Sequence, residues 1–243
     1  MERGLYMAGT AMSTSTKWME VIANNLANTS TTGFKRDVMV FNDGLMREMA
    51  RDSGRGETIG QLGAGAIPMR MMTIFEAGVH NPTGNPLDLA IANDHAMFSV
   101  QTPQGVRYSR DGAFALNTER QLVTKNGSLV LDGNGQPIVI PPGKMEIAQD
   151  GAITVNEQQV AQIALFEGQF SKMGDSLFAG QSTQRLPAER AQMLQGFIES
   201  SNVNAVTEMI AMIRLHRAFD MAQKSAMSQD EATQRLLQTI QGQ

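Results

Sequence analysis

The chain contains no cysteine. That excludes a disulfide framework, a thiolate metal centre and a cysteine nucleophile. It also suits a protein that is held unfolded during export and then works in an oxidising space. No apolar run reaches the roughly 18 residues that a membrane-spanning helix needs. Nor does an apolar core with a small-residue cleavage site follow Met1-Glu2-Arg3-Gly4-Leu5-Tyr6, so a cleaved signal peptide is not expected and any exit from the cytoplasm uses another route. Basic runs are missing and the net charge is −4, which argues against a nucleic-acid partner. The three histidines, His80, His95 and His216, fall in unlike segments without ligand spacing. Packing or solvation is the expected role of each, and no metal, cofactor or catalytic residue is expected.

The remaining motifs read the same way. Gly60-Gln61-Leu62-Gly63-Ala64-Gly65 has neither a following helix nor the Lys-Ser/Thr of a phosphate cradle. Asp132-Gly133-Asn134 resembles the start of a calcium loop, but Gly143 stands where a bidentate glutamate belongs. A hairpin turn is the better reading. No serine sits in a nucleophile elbow.

What is present is a change of period along the chain. Leu5, Met12, Met19 and Leu26 recur every seven residues, with Ala8 and Ile22 between them. This predicts a helix over 4–29 with a narrow a/d seam, as in a coiled coil or bundle. Asn24, Asn25 and Asn28 are weak helix formers but good donors and acceptors at an interface, and the Thr-Ser-Thr-Thr run with Gly33 predicts the helix end. Residues 1–50 are therefore read as an N-terminal helical segment. In 51–86, glycines and prolines punctuate a stretch without period, which predicts an extended arm whose Ile67, Met69, Met71, Ile74 and Phe75 lie along another surface.

From 87 to 186 the period becomes two. Short strand-like runs alternate with Asp111-Gly112, Asn126-Gly127, Asp132-Gly133 and Asp150-Gly151, dipeptides that suit tight hairpins. An antiparallel β domain is expected. Residues 187–243 read as a return to helix, packing with the N-terminal one, with Ser200-Ser201-Asn202 as the N-cap cluster. Val203, Val206, Met209, Ile210 and Ile213 make one apolar face; Met212, Leu215, Phe219, Ala222 and Ala226 make a second. A helix apolar on two faces is buried on more than one side. The fold class is thus α+β, with paired terminal helices and a β domain inserted between them. Eighteen methionines are many for this length, and several fall on the terminal segments, where a flexible side chain suits adaptable contacts.

Several blocks carry a family resemblance. Ala23-Asn24-Asn25-Leu26-Ala27-Asn28 followed by Thr32-Gly33-Phe34-Lys35-Arg36 resembles the N-terminal signature of bacterial flagellar rod and hook subunits. Thr83–Ile91, Tyr108–Phe114 and Leu122–Gly127 resemble their middle region, and Gly196–Asn204 with Glu208-Met209-Ile210 and Arg217-Ala218-Phe219 their C-terminal signature. The resemblance covers most of the chain and implies a structural subunit of the flagellar basal-body rod, exported by the flagellar type III apparatus and partnered by copies of itself and by other rod and hook subunits. It implies interface roles for Leu5, Met12, Met19, Ile22, Asn24, Asn25, Leu26, Asn28, Phe34, Ile74, Phe75, Asn202, Val203, Val206, Met209, Ile210, Ile213 and Phe219. Chain length favours a proximal over a distal rod position. A secreted β-rich binding module that oligomerises through terminal helices is the alternative.

Overall fold

The computed structural model describes residues 2–41 and 69–241. The end of the expected N-terminal helical segment, 42–50, and the arm residues 51–68, Ile67 included, lie outside the described residues. The chain is α+β and divides into two units.

The first unit comprises residues 1–27, 37–72 and 204–243. It holds helix α1 (Glu2–Ala27), strand β1 (Asp37–Phe41), most of β2 (Met69–Thr73), which pairs with β1, and helix α2 (Ala205–Gln241). Helix α1 ends one turn after the Asn-rich motif begins, where threonines and Gly33, at φ 65°, turn the chain into an extended path. Helix α2 starts later than the sequence suggested. Its cap is Asn204, whose side-chain oxygen accepts the Thr207 amide at 3.1 Å. The helices touch where Gly4 lies against the Gln229 side chain and where Asn25 reaches Glu208. Along α2, Ala211, Met212, Leu215, Ala218, Phe219, Ala222 and Ala226 are half-buried at helical spacing, whereas Val206, Met209, Ile210 and Ile213 are exposed.

The second unit comprises residues 28–36 and 73–203 and is built of β-strands. Its main sheet has the order β13-β14-β6-β5-β9-β8-β7, from β5 (Met97–Thr102), β6 (Gly105–Ser109), β7 (Phe114–Leu116), β8 (Leu122–Thr124), β9 (Leu129–Val130), β13 (Leu165–Gly174) and β14 (Leu177–Arg185). It curls back on itself where Leu165 pairs with Phe98. Strands β10 (Met145–Ile147), β11 (Ala152–Val155) and β12 (Gln158–Gln162) form an antiparallel meander. Leu89, Ile91, Phe98, Val100, Leu122, Ile138, Ile153 and Ile163 fill the core between these layers, and Phe98 meets Phe114 edge-on at 5.1 Å.

Residues 187–203 correct the sequence reading. They are not helical beyond one 3-10 turn at Ala188–Arg190. Instead β15 (Met193–Gln195) pairs with β4 (Leu89–Ile91), and β16 (Phe197–Glu199) pairs with β3 (His80–Pro82). The reason is long-range: Leu186, Ala191 and Met193 complete the apolar core, and the backbones of 193–195 and 197–199 pair with strands about a hundred residues earlier. Part of the expected arm, 73–86, is likewise tied into this unit through β3. The approach of backbones is close enough to require glycine at two positions. A Cβ on Gly112 would lie 1.7 Å from the Leu89 carbonyl oxygen, and one on Gly78 would lie 1.9 Å from that of Ser200.

Candidate assembly surface and its buried supports

In the first unit the Asn-rich motif faces inward at one residue and outward at another. Asn25 is buried. Its side-chain oxygen accepts the Asp37 amide at 2.9 Å, and its amide donates to the Asp37 carbonyl at 2.8 Å. The side chain thus copies a peptide group and holds the start of β1 against α1. The same amide donates to the buried Glu208 carboxylate on α2 at 3.4 Å. Asn25→Ala removes the partner from both Asp37 backbone groups, and we expect a loss of about 1–3 kcal/mol. Calorimetry of the purified chain checks this, with Ser13→Ala, at an exposed position of the same helix, as the near-neutral control.

The other expected interface residues separate by burial. Leu5 lies in α1. Met12, Met19, Leu26 and Asn28 are half-buried, Ile22 is buried, and Asn24 is exposed. On α2, Phe219 is half-buried, while Val206, Met209, Ile210 and Ile213 form an exposed apolar row with Ile213 54% exposed. Met221 and Met227 are exposed further along.

Within the second unit, the expected interface residues take up internal packing. Phe34 is buried, with the Lys172 ammonium 3.8 Å over its ring. Phe75 is half-buried between Phe178 at 5.5 Å and Phe170 at 6.4 Å, so its apolar contacts are made by its own unit. Ile74 is half-buried, and its amide donates to the Arg36 carbonyl. Val203 is buried. Asn202 is a staple: its amide group donates to the carbonyls of Ile74 at 2.9 Å and Glu76 at 3.1 Å, and its oxygen accepts the Arg36 amide at 2.8 Å.

Beside that staple lies a cluster that the sequence reading did not anticipate. Lys35, Arg110 and Glu199 are each at most 2% exposed. Lys35 Nζ donates to Glu199 Oε1 at 2.6 Å and to the Glu76 carbonyl at 2.7 Å. Arg110 Nε donates to Glu199 Oε2, and its other nitrogens donate to the carbonyls of Ile91, Asn93 and Ala96. The Gly78 amide adds a bond to Glu199 Oε1 at 2.8 Å, and the Gly33 amide donates to the Glu199 carbonyl at the same distance. Every Glu199 acceptor is thus used, the condition under which a buried charge is tolerated. The available signal was weak and local: each of the three charges stands within three residues of a glycine (Gly33, Gly112 or Gly196), and each sits in a resemblance block.

Burial pulls the Lys35 pKa below its usual value, against the attraction of Glu199. Burial also works to raise the Glu199 pKa, but the Arg110 and Lys35 charges outweigh it and hold the carboxyl below the ordinary range. A folded-state pKa below the unfolded one means stability that is present above the unfolded value and lost as the pH falls through the folded value. We therefore expect the second unit to lose stability on acidification through the carboxylate range, and to do so less steeply in Glu199→Gln. Calorimetric midpoints of both chains across that range check it. The depressed Lys35 acts at the other end: the folded chain binds fewer protons between its lowered pKa and 10.5, so stability rises with pH there.

The histidines do not converge: His80 is half-buried in β3, and His95 and His216 are exposed. Among the described residues no three His, Asp or Glu side chains gather as a metal ion would require, and no helix is long and apolar enough to cross a membrane.

Comparison with known proteins matches three family descriptions to three stretches of the chain. "Flagella basal body rod protein" matches residues 5–35, "Flagellar hook protein FlgE/F/G D1 domain" matches 90–155, and "Flagellar basal body rod FlgEFG protein C-terminal" matches 194–239. Each stretch contributes one member of the buried cluster: Lys35, Arg110 and Glu199 in turn. Relatives match end to end. The chain is 33% identical to the flagellar basal-body rod protein FlgG of Buchnera aphidicola, over 96% of this chain and 98% of that one. It is also 33% identical to FlgF of Rhizobium meliloti, over 100% and 99%, and 31% identical to FlgG of Bacillus subtilis, over 98% of each.

Proposed function

We infer the working role of this chain from the premise that it belongs to the flagellar basal-body rod protein family: it is a structural subunit of the basal-body rod, and it assembles helically to transmit torque across the periplasm. Its partners are copies of itself and other rod and hook-family subunits. Export proceeds through the flagellar type III apparatus without a cleaved signal. Relatives named FlgF and FlgG match equally well, so similarity places the chain in the rod without ordering it there. Chain length favours the proximal position.

The observation that carries the mechanism is the exposed apolar row of α2. Among the described residues, Val206, Met209, Ile210 and Ile213 stay 45–62% exposed, while the opposite face is half-buried. Paired as a bundle with α1, α2 keeps one seam for its own chain and offers the other to neighbouring subunits. The long methionine side chains of Met209 and, further along, exposed Met221 and Met227 tolerate contacts that are not identical around a helical assembly. The residues buried in their own units (Ile22, Asn25, Phe34 and Val203) fix the shape of the subunit and leave the row to make the contact. Deleting the gene and isolating basal bodies from the complemented strain tests the role. The expected result is loss of swimming, with the protein found in purified basal bodies. Normal swimming of the deletion, or absence of the protein from basal bodies, would overturn it.

A further inference from the structure

The second unit cannot be completed by consecutive chain. Its core takes Leu186, Ala191 and Met193 from the late segment, β15 and β16 pair with β4 and β3, and Glu199 enters the space between Lys35 and Arg110. Before Glu199 arrives, that space holds two cations and no buried acid; Asp94, which also attracts Lys35, is exposed. Lys35 is then left with one carbonyl and Arg110 with three, and both face desolvation with like charge beside them. Once Glu199 is present, each cation gains a charge-assisted bond, and the Gly78 and Gly33 amides close over the same residue.

We propose that the Lys35–Glu199–Arg110 cluster is a clasp that withholds closure of the second unit until residues 186–203 have joined it. The early segment alone places positive charge in an apolar interior, so its partial fold stays open and unable to present a finished surface. The late segment supplies the acid together with the last core side chains, and closure becomes one step. In a chain that emerges N-terminus first, the unit remains open until Glu199 is through; that consequence rests on the export route proposed above, whereas the clasp itself does not.

The test is hydrogen exchange on the full chain, pulse-labelled during refolding and then measured at equilibrium. During refolding, β5, β6 and β9 are expected to gain protection in the same step as β15 and β16. An earlier, separate phase for the central strands would overturn the clasp. At equilibrium, Glu199→Gln is expected to lose protection on the order of 10²-fold or more in β3, β4, β15, β16 and residues 33–36 together. Lys35→Met leaves a neutral Arg110–Glu199 pair and is expected to lose less than about 10-fold. Loss confined to β16 in Glu199→Gln would contradict the proposal. So would opening of Lys35→Met as wide as that of Glu199→Gln, including the case in which both fail to fold.

Discussion

Ile213→Asp is expected to abolish swimming while leaving the isolated subunit folded. The side chain is 54% exposed in its own chain, so a carboxylate there stays hydrated and changes folding by no more than about 0.5 kcal/mol. In the rod contact proposed above, the same position would lie in a packed apolar seam, flanked by Met209 and Ile210. Burying an unpaired carboxylate there costs several kcal/mol per contact, and a helical assembly repeats the cost at every subunit. The expected outcome is soluble, normally melting protein with no incorporation into basal bodies. Leu26→Asp is the informative contrast. Leu26 is half-buried, so that change should lower both incorporation and the stability of the first unit.

Arg110→Ala has the largest expected effect on folding. Its guanidinium donates to three backbone carbonyls and to Glu199 from a site 2% exposed. Truncation leaves those carbonyls short of a donor and opens a cavity. Lys35 remains as partner to Glu199, so the acid is not stranded, but breaking a buried network of this kind costs about 3–5 kcal/mol. That is a large share of a typical domain's stability. The second unit should unfold at a markedly lower temperature. Helix content from α1 and α2 should persist, which far-ultraviolet circular dichroism across the transition would read. Arg110→Lys should recover little, because an ammonium cannot reach four acceptors held in a guanidinium fork.

Much of the architecture was legible because it is written in local period. The heptad of Leu5, Met12, Met19 and Leu26 coincides with α1, and the alternation of Met97–Val100 and Ile153–Val155 with β5 and β11. Hairpin turns were legible only where glycine marks them. The turns Asn156-Glu157 and Asp175-Ser176 carry positive φ at all four residues without one, and Asn-Glu or Asp-Ser gives a weaker signal than Asn-Gly. Residues 187–203 were misread because Leu194, Phe197 and Ile198 have no decisive period of their own; their conformation is set by strands far away in sequence. The charged cluster was invisible for a different reason. Lysine, arginine and glutamate default to the surface, and no spacing rule links residues 35, 110 and 199. The apolar side chains of the terminal helices were legible, but not which of them pack within the chain: Ile22 and Ile213 look alike in sequence and differ from 2% to 54% in exposure.

The central claim is that the exposed row of α2 is the contact between subunits in the rod. Since the chain has no cysteine, Ile213→Cys introduces a unique thiol. Attaching a photo-crosslinker to it and irradiating isolated basal bodies reads the neighbours of that face directly. The account predicts adducts between this chain and rod-family subunits, and none in the unassembled monomer. Labelled basal bodies that give no intersubunit adduct from position 213, while a probe on the β unit does, would contradict it.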